Sequence, residues 1–234
     1  MRQIILDTET TGLDYKLGHR IVELAAVELS NRQFTGNNFH YYLNPQRESD
    51  EGALQVHGLT TEFLRDKPKF HEIVKDFLNF IQDAELIIHN APFDVGFLNS
   101  ELSLIHLPTL DTHCSMITDT LKLAKELHPG KRNNLDALCE RYAIDNSKRT
   151  LHGALLDAEL LAEVYLAMTR GQKSLMMEFE SVEGTELSVK SITHFNPKII
   201  FASEDECLQH EQVLNAIDKA GGGSCIWRKR AEQD

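Results

Sequence analysis

The spacing of hydrophobic and polar positions changes period along this chain. Ile4-Ile5-Leu6 is an apolar run of strand length that meets two carboxylates, Asp7 and Glu9, before Thr10-Thr11-Gly12 supplies a turn. Ile21 to Leu29 is β-rich and apolar on both faces, as in a strand covered on both sides. A turn at Ser30-Asn31-Arg32-Gln33 leads to a third strand from about Phe34 to Leu43, and the three segments predict an antiparallel meander. Residues 44–67 read as a polar loop, punctuated by Gly and Pro, that contains Val56-His57-Gly58.

From Pro68 onward the period is helical, with Phe70, Ile73, Val74, Phe77, Leu78 and Ile81 falling on one face. Glu85 to His89 predicts a short buried strand, and Asn90-Ala91-Pro92 turns it into a helix that carries Asp94 in its first turn. A further strand is expected at Leu107 to Thr112, then a helix from about Ser115 to Leu127 closed by Pro129-Gly130. Leu135, Leu138, Cys139 and Tyr142 mark a short helix, Asp145 to Leu151 a polar loop, and Ala154 to Met168 a last helix. Strands alternating with helices make this half α/β, and the main domain is expected to occupy residues 1–170.

Residues 171–195 turn polar and acidic without periodicity, as a flexible linker does. Beyond them a strand at Lys198 to Ala202, a helix at Glu204 to Ala220 and a strand at Ser224 to Arg228 form a β-α-β unit within residues 196–234. So small a unit buries too little to stand alone, and it reads as a segment that docks on a partner.

A formal charge of −12 and a pI near 5.4 argue against a protein that holds nucleic acid by bulk electrostatics. They leave room for an enzyme that grips a nucleic-acid end through metal ions. Lys125, Lys131, Arg132, Lys148 and Arg149 form the clearest basic cluster, suited either to a DNA backbone or to balancing local acids. The four cysteines are irregularly spaced with no Cys-x-x-Cys pair, which predicts free thiols in a reducing cytoplasm. No apolar run is long enough to span a bilayer, so a cytoplasmic protein with no membrane partner is expected.

Side chains alternate along a strand, so Asp7 and Glu9 project the same way, and their repulsion is most simply relieved by a hard divalent cation. Asp94 and Asp157 each sit near a helix start, and His152-Gly153-Ala154 precedes the second of them. Within one helix His152 and Asp157 would stand about 140° apart, so His152 must come from the loop, with Gly153 permitting the bend. Four carboxylates and one histidine are the set that two-metal phosphoryl chemistry uses, the histidine taking the proton of the attacking water. Glu23, Asp111, Asp119 and Asp136 match no such pattern and are expected to be solvated or capping.

Asp7-x-Glu9, Asn90-x-x-Phe93-Asp94 and His152-x-Ala154-x-x-Asp157 resemble the three motifs of the DEDD exonuclease superfamily, in its histidine-bearing branch. Further stretches resemble the members of that branch that proofread for a replicative DNA polymerase: Leu6 to Gly12, Ile88-His89-Asn90, Pro129 to Asn133, and Asp145 to Met168. The resemblance implies an RNase H-like fold, a five-stranded mixed sheet flanked by helices. It also implies 3′→5′ removal of mispaired DNA ends with two divalent cations, Mg2+ or Mn2+. Asp7, Glu9, Asp94 and Asp157 would be the metal ligands, Asp7 bridging both ions, and His152 the general base. Leu54, His57, His89, Asn90 and Phe93, with Asp7, Glu9 and Asp157, would meet the terminal nucleotide. The family commonly carries an acidic residue five before the loop histidine; Gly52 stands there in this sequence. The implied partners are a polymerase catalytic subunit through residues 196–234, with Phe201 and Trp227 as aromatic anchors, and a sliding clamp through Gln172 to Met177. A small accessory subunit is left open.

Overall fold

The computed structural model describes residues 2–147, 149, 151–170 and 202–221 of the chain. Three strands, β1 (Arg2–Thr10), β2 (Ile21–Ser30) and β3 (Gln33–Tyr42), form the expected antiparallel meander. Two short strands, β4 (Glu85–Ile88) and β5 (Met116–Asp119), add in parallel on the other side of β1, giving the order β3-β2-β1-β4-β5. The sheet is therefore mixed and five-stranded, with β1 at its centre.

Register decides what each face buries. Ile5 lies opposite Val27 on β2 and Ile87 on β4, whereas Ile4 and Leu6 point to the other face. On that face Ile4, Leu6, Leu24, Ala26, Leu86 and Ile88 pack with helices α3 (Phe70–Ile81) and α4 (Ala91–Leu104) around Phe77 and Phe97. On the opposite face Ile5, Val27, Leu29 and Ile87 pack against Ala158, Leu161, Ala162 and Tyr165 of α7 (Ala154–Met168). Helices α5 (Thr120–Leu127) and α6 (Leu135–Tyr142) pack in turn on α7 through Ala124, Leu138, Leu160 and Val164.

Two expectations need correction. Residues 44–67 are not all loop: they hold α1 (Glu51–His57), closed by left-handed Gly58, and α2 (Thr61–Leu64), capped by Thr60. Helices this short draw their stability from tertiary packing, so seven and four residues leave too little periodicity to read. The strand expected at Leu107 to Thr112 is a 3-10 turn over Leu110–Thr112, and the actual edge strand β5 lies within the segment read as the start of a helix. Asp119 marks the true boundary, its side chain accepting from the backbone N–H groups of Leu121 and Lys122 as the N-cap of α5.

The chain divides into two compact units, Met1–Ser181 and Val182–Asp234. In the second, α8 (Glu204–Ala220) matches the expected helix and begins with a capping box between Ser203 and Glu206. The expected linker, the Gln172 to Met177 motif, Phe201, Trp227 and the two strands flanking α8 lie wholly or mainly outside the described residues. Cys114, Cys139 and Cys207 are free thiols, and no helix among the described residues is long and apolar enough to cross a membrane.

Phe77, on α3, is fully buried against the sheet, its ring meeting that of Phe39 on β3. Truncation to alanine should lower the free energy of unfolding by about 3–5 kcal/mol, measured by urea titration with circular dichroism; a loss below about 1 kcal/mol would contradict this packing.

Candidate active site

At the exit of β1, alternation sends Asp7 and Glu9 to the α7 face and Thr8 to the α4 face. Asp7 lies opposite Ala25, whose small side chain leaves room beside it, and Glu9 lies opposite Glu23. Asp157 comes from the first turn of α7. His152 comes from the loop before it, as the helical angle required. Glu9, His152 and Asp157 each offer one ligand atom, and these atoms lie within 4.8 Å of one another. Asp94 arrives from the opposite face, in the first turn of α4, with its Oδ1 accepting a 2.7 Å hydrogen bond from the Thr8 hydroxyl. The four acids thus round the end of the sheet from both sides and meet outside the carboxyl ends of the parallel strands β1 and β4. In open α/β sheets that is where ligands bind.

Gly153 is not the conformational hinge expected. Its backbone is extended (φ −150°, ψ 125°), which any residue can adopt, and a Cβ there would meet nothing within 4 Å. The helix start is fixed instead by Glu23, which belongs to none of the three motifs. Its buried carboxylate accepts from the Ala154 N–H at 3.1 Å, capping α7 from β2, and lies 2.7 Å from His40 Nε2 on β3.

So many acids in one buried place hold each other's protons on. Burial raises the Asp7 carboxyl well above the usual range, with Asp94, Glu9 and Asp157 adding to it. Burial and then Asp157 and Glu23 push Glu9 up to about 8. Burial carries Asp94 to about 7 even though the Thr8 hydroxyl pulls it back.

Arg149 supplies the counter-charge. Its Nε lies 2.5 Å from Asp157 Oδ1 and its Nη2 2.7 Å from Oδ2, a bidentate pair, while Nη1 reaches Asp136 at 2.9 Å. The same Nη2 lies 2.9 Å from His152 Nδ1. A guanidinium has only donors, so Nδ1 is the acceptor and a neutral His152 ring carries its proton on Nε2. Burial and the adjacent Arg149 charge lower the His152 pKa. In this arrangement Arg149 balances local acids, and its side chain is only 7% exposed.

These groups line a cavity of about 680 Å³. His57, His89 and Phe93 line it as expected, together with Val56. His57 accepts the Leu59 N–H on Nδ1 at 2.9 Å, which leaves Nε2 as a buried donor with no hydrogen-bond partner among the described residues. Leu54 and Asn90 do not line the cavity. Leu54 instead accepts the Gly58 N–H that closes α1. Asn90 adopts a left-handed conformation (φ 63°) and donates its N–H to Asp119, joining the start of α4 to that of α5. Gly52 lines the cavity with open space where a side chain would stand.

Leu13 and Asp136 also line it, as does Arg149 of the basic cluster; Leu13, 85% exposed beside the acids, carries no sequence signal beyond following the turn. Gly12 is required by contact, because a Cβ there would fall 2.3 Å from the His19 ring. That ring lies 3.0 Å from the Thr11 hydroxyl and 3.4 Å from Asp50, whose own N–H donates to the Thr11 carbonyl. His19 thereby pins α1 to the end of β1.

A mixed sheet of this order, with carboxylates and a histidine gathered at the exit of its central strand, is an arrangement suited to metal-assisted phosphoryl chemistry. The exonuclease family model matches residues 4–165. DNA polymerase III subunit epsilon of Haemophilus influenzae is 51% identical over 244 residues, covering 98% of this chain and 95% of that protein. The subunit of the same name from Escherichia coli K12 is 51% identical over 238 residues, covering 97% of each. Among solved structures, exonuclease X in complex with 5′ overhanging duplex DNA is similar at a TM-score of 0.55 and 25% identity, covering 71% of this chain and 90% of that one. The nuclease domain of 3′hExo, a DEDDh family member bound to rAMP, shares the fold at a TM-score of 0.60 and 19% identity, again over 71% and 90%. The chain belongs to the exonuclease family and, within it, to the DNA polymerase III epsilon subunits.

The raised carboxyl groups give the chelator-treated protein a pH dependence of definite sign. Glu9 near 8 and a raised Asp7 bind protons in the folded chain that the unfolded chain has released by about pH 5, so stability falls as pH rises through the folded values. The lowered His57, His89, His128 and His152 oppose this slope until the unfolded histidines have largely lost their protons, by about pH 7.5. Between about pH 7.5 and 8.5 the thermal midpoint in chelator should therefore fall, as followed by differential scanning fluorimetry. A flat or rising midpoint over that window would contradict the buried cluster.

Proposed function

We propose that this chain is the proofreading exonuclease of a replicative DNA polymerase, removing mispaired 3′-terminal nucleotides as 5′-mononucleotides by two-metal-ion hydrolysis. The observation that carries the reading is the meeting of Glu9, His152 and Asp157 within 4.8 Å, beside Asp7 and Asp94, in a chain about half identical to epsilon subunits over almost its whole length. Exonuclease families of this kind work with divalent metal ions. The residues present fit them: a donor set rich in carboxylate oxygen, whose protons are held on by burial and then by mutual repulsion, suits hard cations such as Mg2+ or Mn2+.

In this reading Asp7, Glu9, Asp94 and Asp157 would hold two divalent cations. When bound, such a pair supplies activation of water and charge stabilisation at the reacting phosphoryl group. His152 takes the proton of the attacking water. His57, with its unpartnered Nε2–H, together with His89 and Phe93, meets the terminal nucleotide; Leu54 and Asn90 act behind that surface, closing α1 and holding the start of α4. Discrimination against mispaired ends needs no recognition of the mismatch. A mispaired end costs less to melt and so reaches the cavity as single strand more often.

The relatives are named as subunits of DNA polymerase III, which supports association with a polymerase. Residues 1–170 would form the exonuclease domain, 171–195 a linker carrying the clamp-binding Gln172 to Met177, and 196–234 the segment for the catalytic subunit, in a cytoplasmic assembly. A small accessory subunit stays open as a further partner.

The test is release of mononucleotides from 3′-labelled primers, paired or mispaired at the end, with an RNA strand alongside. Mispaired DNA should be shortened fastest and RNA largely spared, and Asp7→Ala should fall below about one hundredth of wild type with unchanged circular dichroism. Preference for RNA, or an Asp7→Ala variant that keeps its activity, would overturn the reading.

A further inference from the structure

Arg149 stands in a position that conflicts with the chemistry proposed for its neighbours. Its guanidinium takes both oxygens of Asp157 and, through the same Nη2, the lone pair of His152 Nδ1. A proposed metal ligand and the proposed base are therefore engaged by one side chain. In this arrangement the other ring nitrogen of a neutral His152 bears a proton, so neither nitrogen has a free lone pair to receive one.

We propose that Arg149 is a latch on the site: it holds Asp157 and His152 in the free chain, is displaced by divalent cations, and then binds a phosphate of the DNA strand. The inference rests on the two-metal reading above and deepens it. Three observations support the exchange. The contact is bidentate and only 7% of the Arg149 side chain is exposed, so the guanidinium meets Asp157 directly and not as a diffuse surface charge. Cations held among Asp7, Glu9, Asp94 and Asp157 would stand beside a fixed positive charge that repels them, so the guanidinium and the cations compete for the same acids. Lastly, a planar guanidinium fork matches a phosphate as well as it matches a carboxylate. Arg149 lines the same cavity as the carboxylates and Phe93, which puts it within the space a strand end would enter. Asp136, 2.9 Å from Nη1 and exposed, offers a second anchor that need not break when Asp157 is surrendered.

The exchange gives Arg149 two duties with opposite signs. In the free chain it satisfies Asp157 and competes with cations. In the loaded chain it frees the His152 lone pair and contributes affinity for the strand. A residue that merely braced the loop would act with one sign only, because its loss would slacken Asp157 and weaken cation binding and substrate binding together.

The experiment uses the full chain with Arg149→Ala and Arg149→Lys. Mn2+ binding is followed by electron paramagnetic resonance without DNA, and KM and kcat are measured on a single-stranded oligonucleotide in saturating Mn2+. Arg149→Ala should bind Mn2+ several-fold more tightly, up to about tenfold, while its KM rises several-fold. Arg149→Lys, which keeps the charge but not the fork, should lie between wild type and Arg149→Ala in both. Weaker Mn2+ binding by Arg149→Ala would overturn the latch and leave a brace. Tighter Mn2+ binding with unchanged KM would overturn the transfer to phosphate, and the proposal with it. If wild type itself binds no Mn2+, the two-metal reading fails before the latch is reached. Should Arg149→Ala fail to fold, judged by circular dichroism, Arg149→Lys carries the test: unchanged Mn2+ binding and KM in that variant would contradict the proposal.

Discussion

The burial of several carboxylates in one place, with the repulsion that follows, is the constraint on which the rest of this structure depends. Asp7 and Glu9 leave β1 on one face, Asp157 meets them from α7, and Asp94 reaches the same end of the sheet from the other face. Acids so placed resist ionisation, first because they are buried and then, for Asp7 and Glu9, because of one another's charge, as the raised Asp7, Glu9 and Asp94 carboxyls record. Much of the surrounding architecture offsets that cost. Thr8 donates to Asp94, Arg149 pairs with Asp157, and Glu23, whose charge adds to the repulsion on Glu9, is itself satisfied by the Ala154 N–H and His40. A site held together in this way favours any ligand that brings positive charge.

The hydrophobic layers make the cluster possible by fixing geometry at both ends of each acid-bearing element. β1 is clamped between α3 and α4 on one side and α7 on the other, so the side chains at its exit have little freedom to separate. The α1 segment, which carries His57, is in turn tied to β1 through His19, Thr11 and Asp50. Rigidity of this kind serves catalysis, because interactions preorganised for the reaction need no rearrangement at the moment of chemistry.

The parts of this arrangement that are written locally were legible in the sequence. Alternation along Ile4 to Glu9 placed two acids on one side, helical periodicity drew α3 and α7 to within a residue or two, and a simple angle argument put His152 in the loop. Pairwise tertiary contacts were not legible. Glu23 sits in an apolar strand and looks like a solvent-facing interruption until the N-terminus of α7 is laid against it. Arg149 is one of several basic residues in a polar stretch, and only the folded loop turns it inward to Asp157. β5 has four residues and one cap, too short for a period, and α1 and α2 owe their helicity to what they rest on.

The central claim is that the four acids at the exit of β1 form a receptor for a pair of divalent cations. Its most direct test is the stoichiometry of Mn2+ binding to the metal-free full chain, by electron paramagnetic resonance, for wild type and Asp7→Ala. Two ions bound per wild-type chain, with at least one lost on removing Asp7, is the result expected. No specific binding, or a single ion indifferent to Asp7, would contradict it.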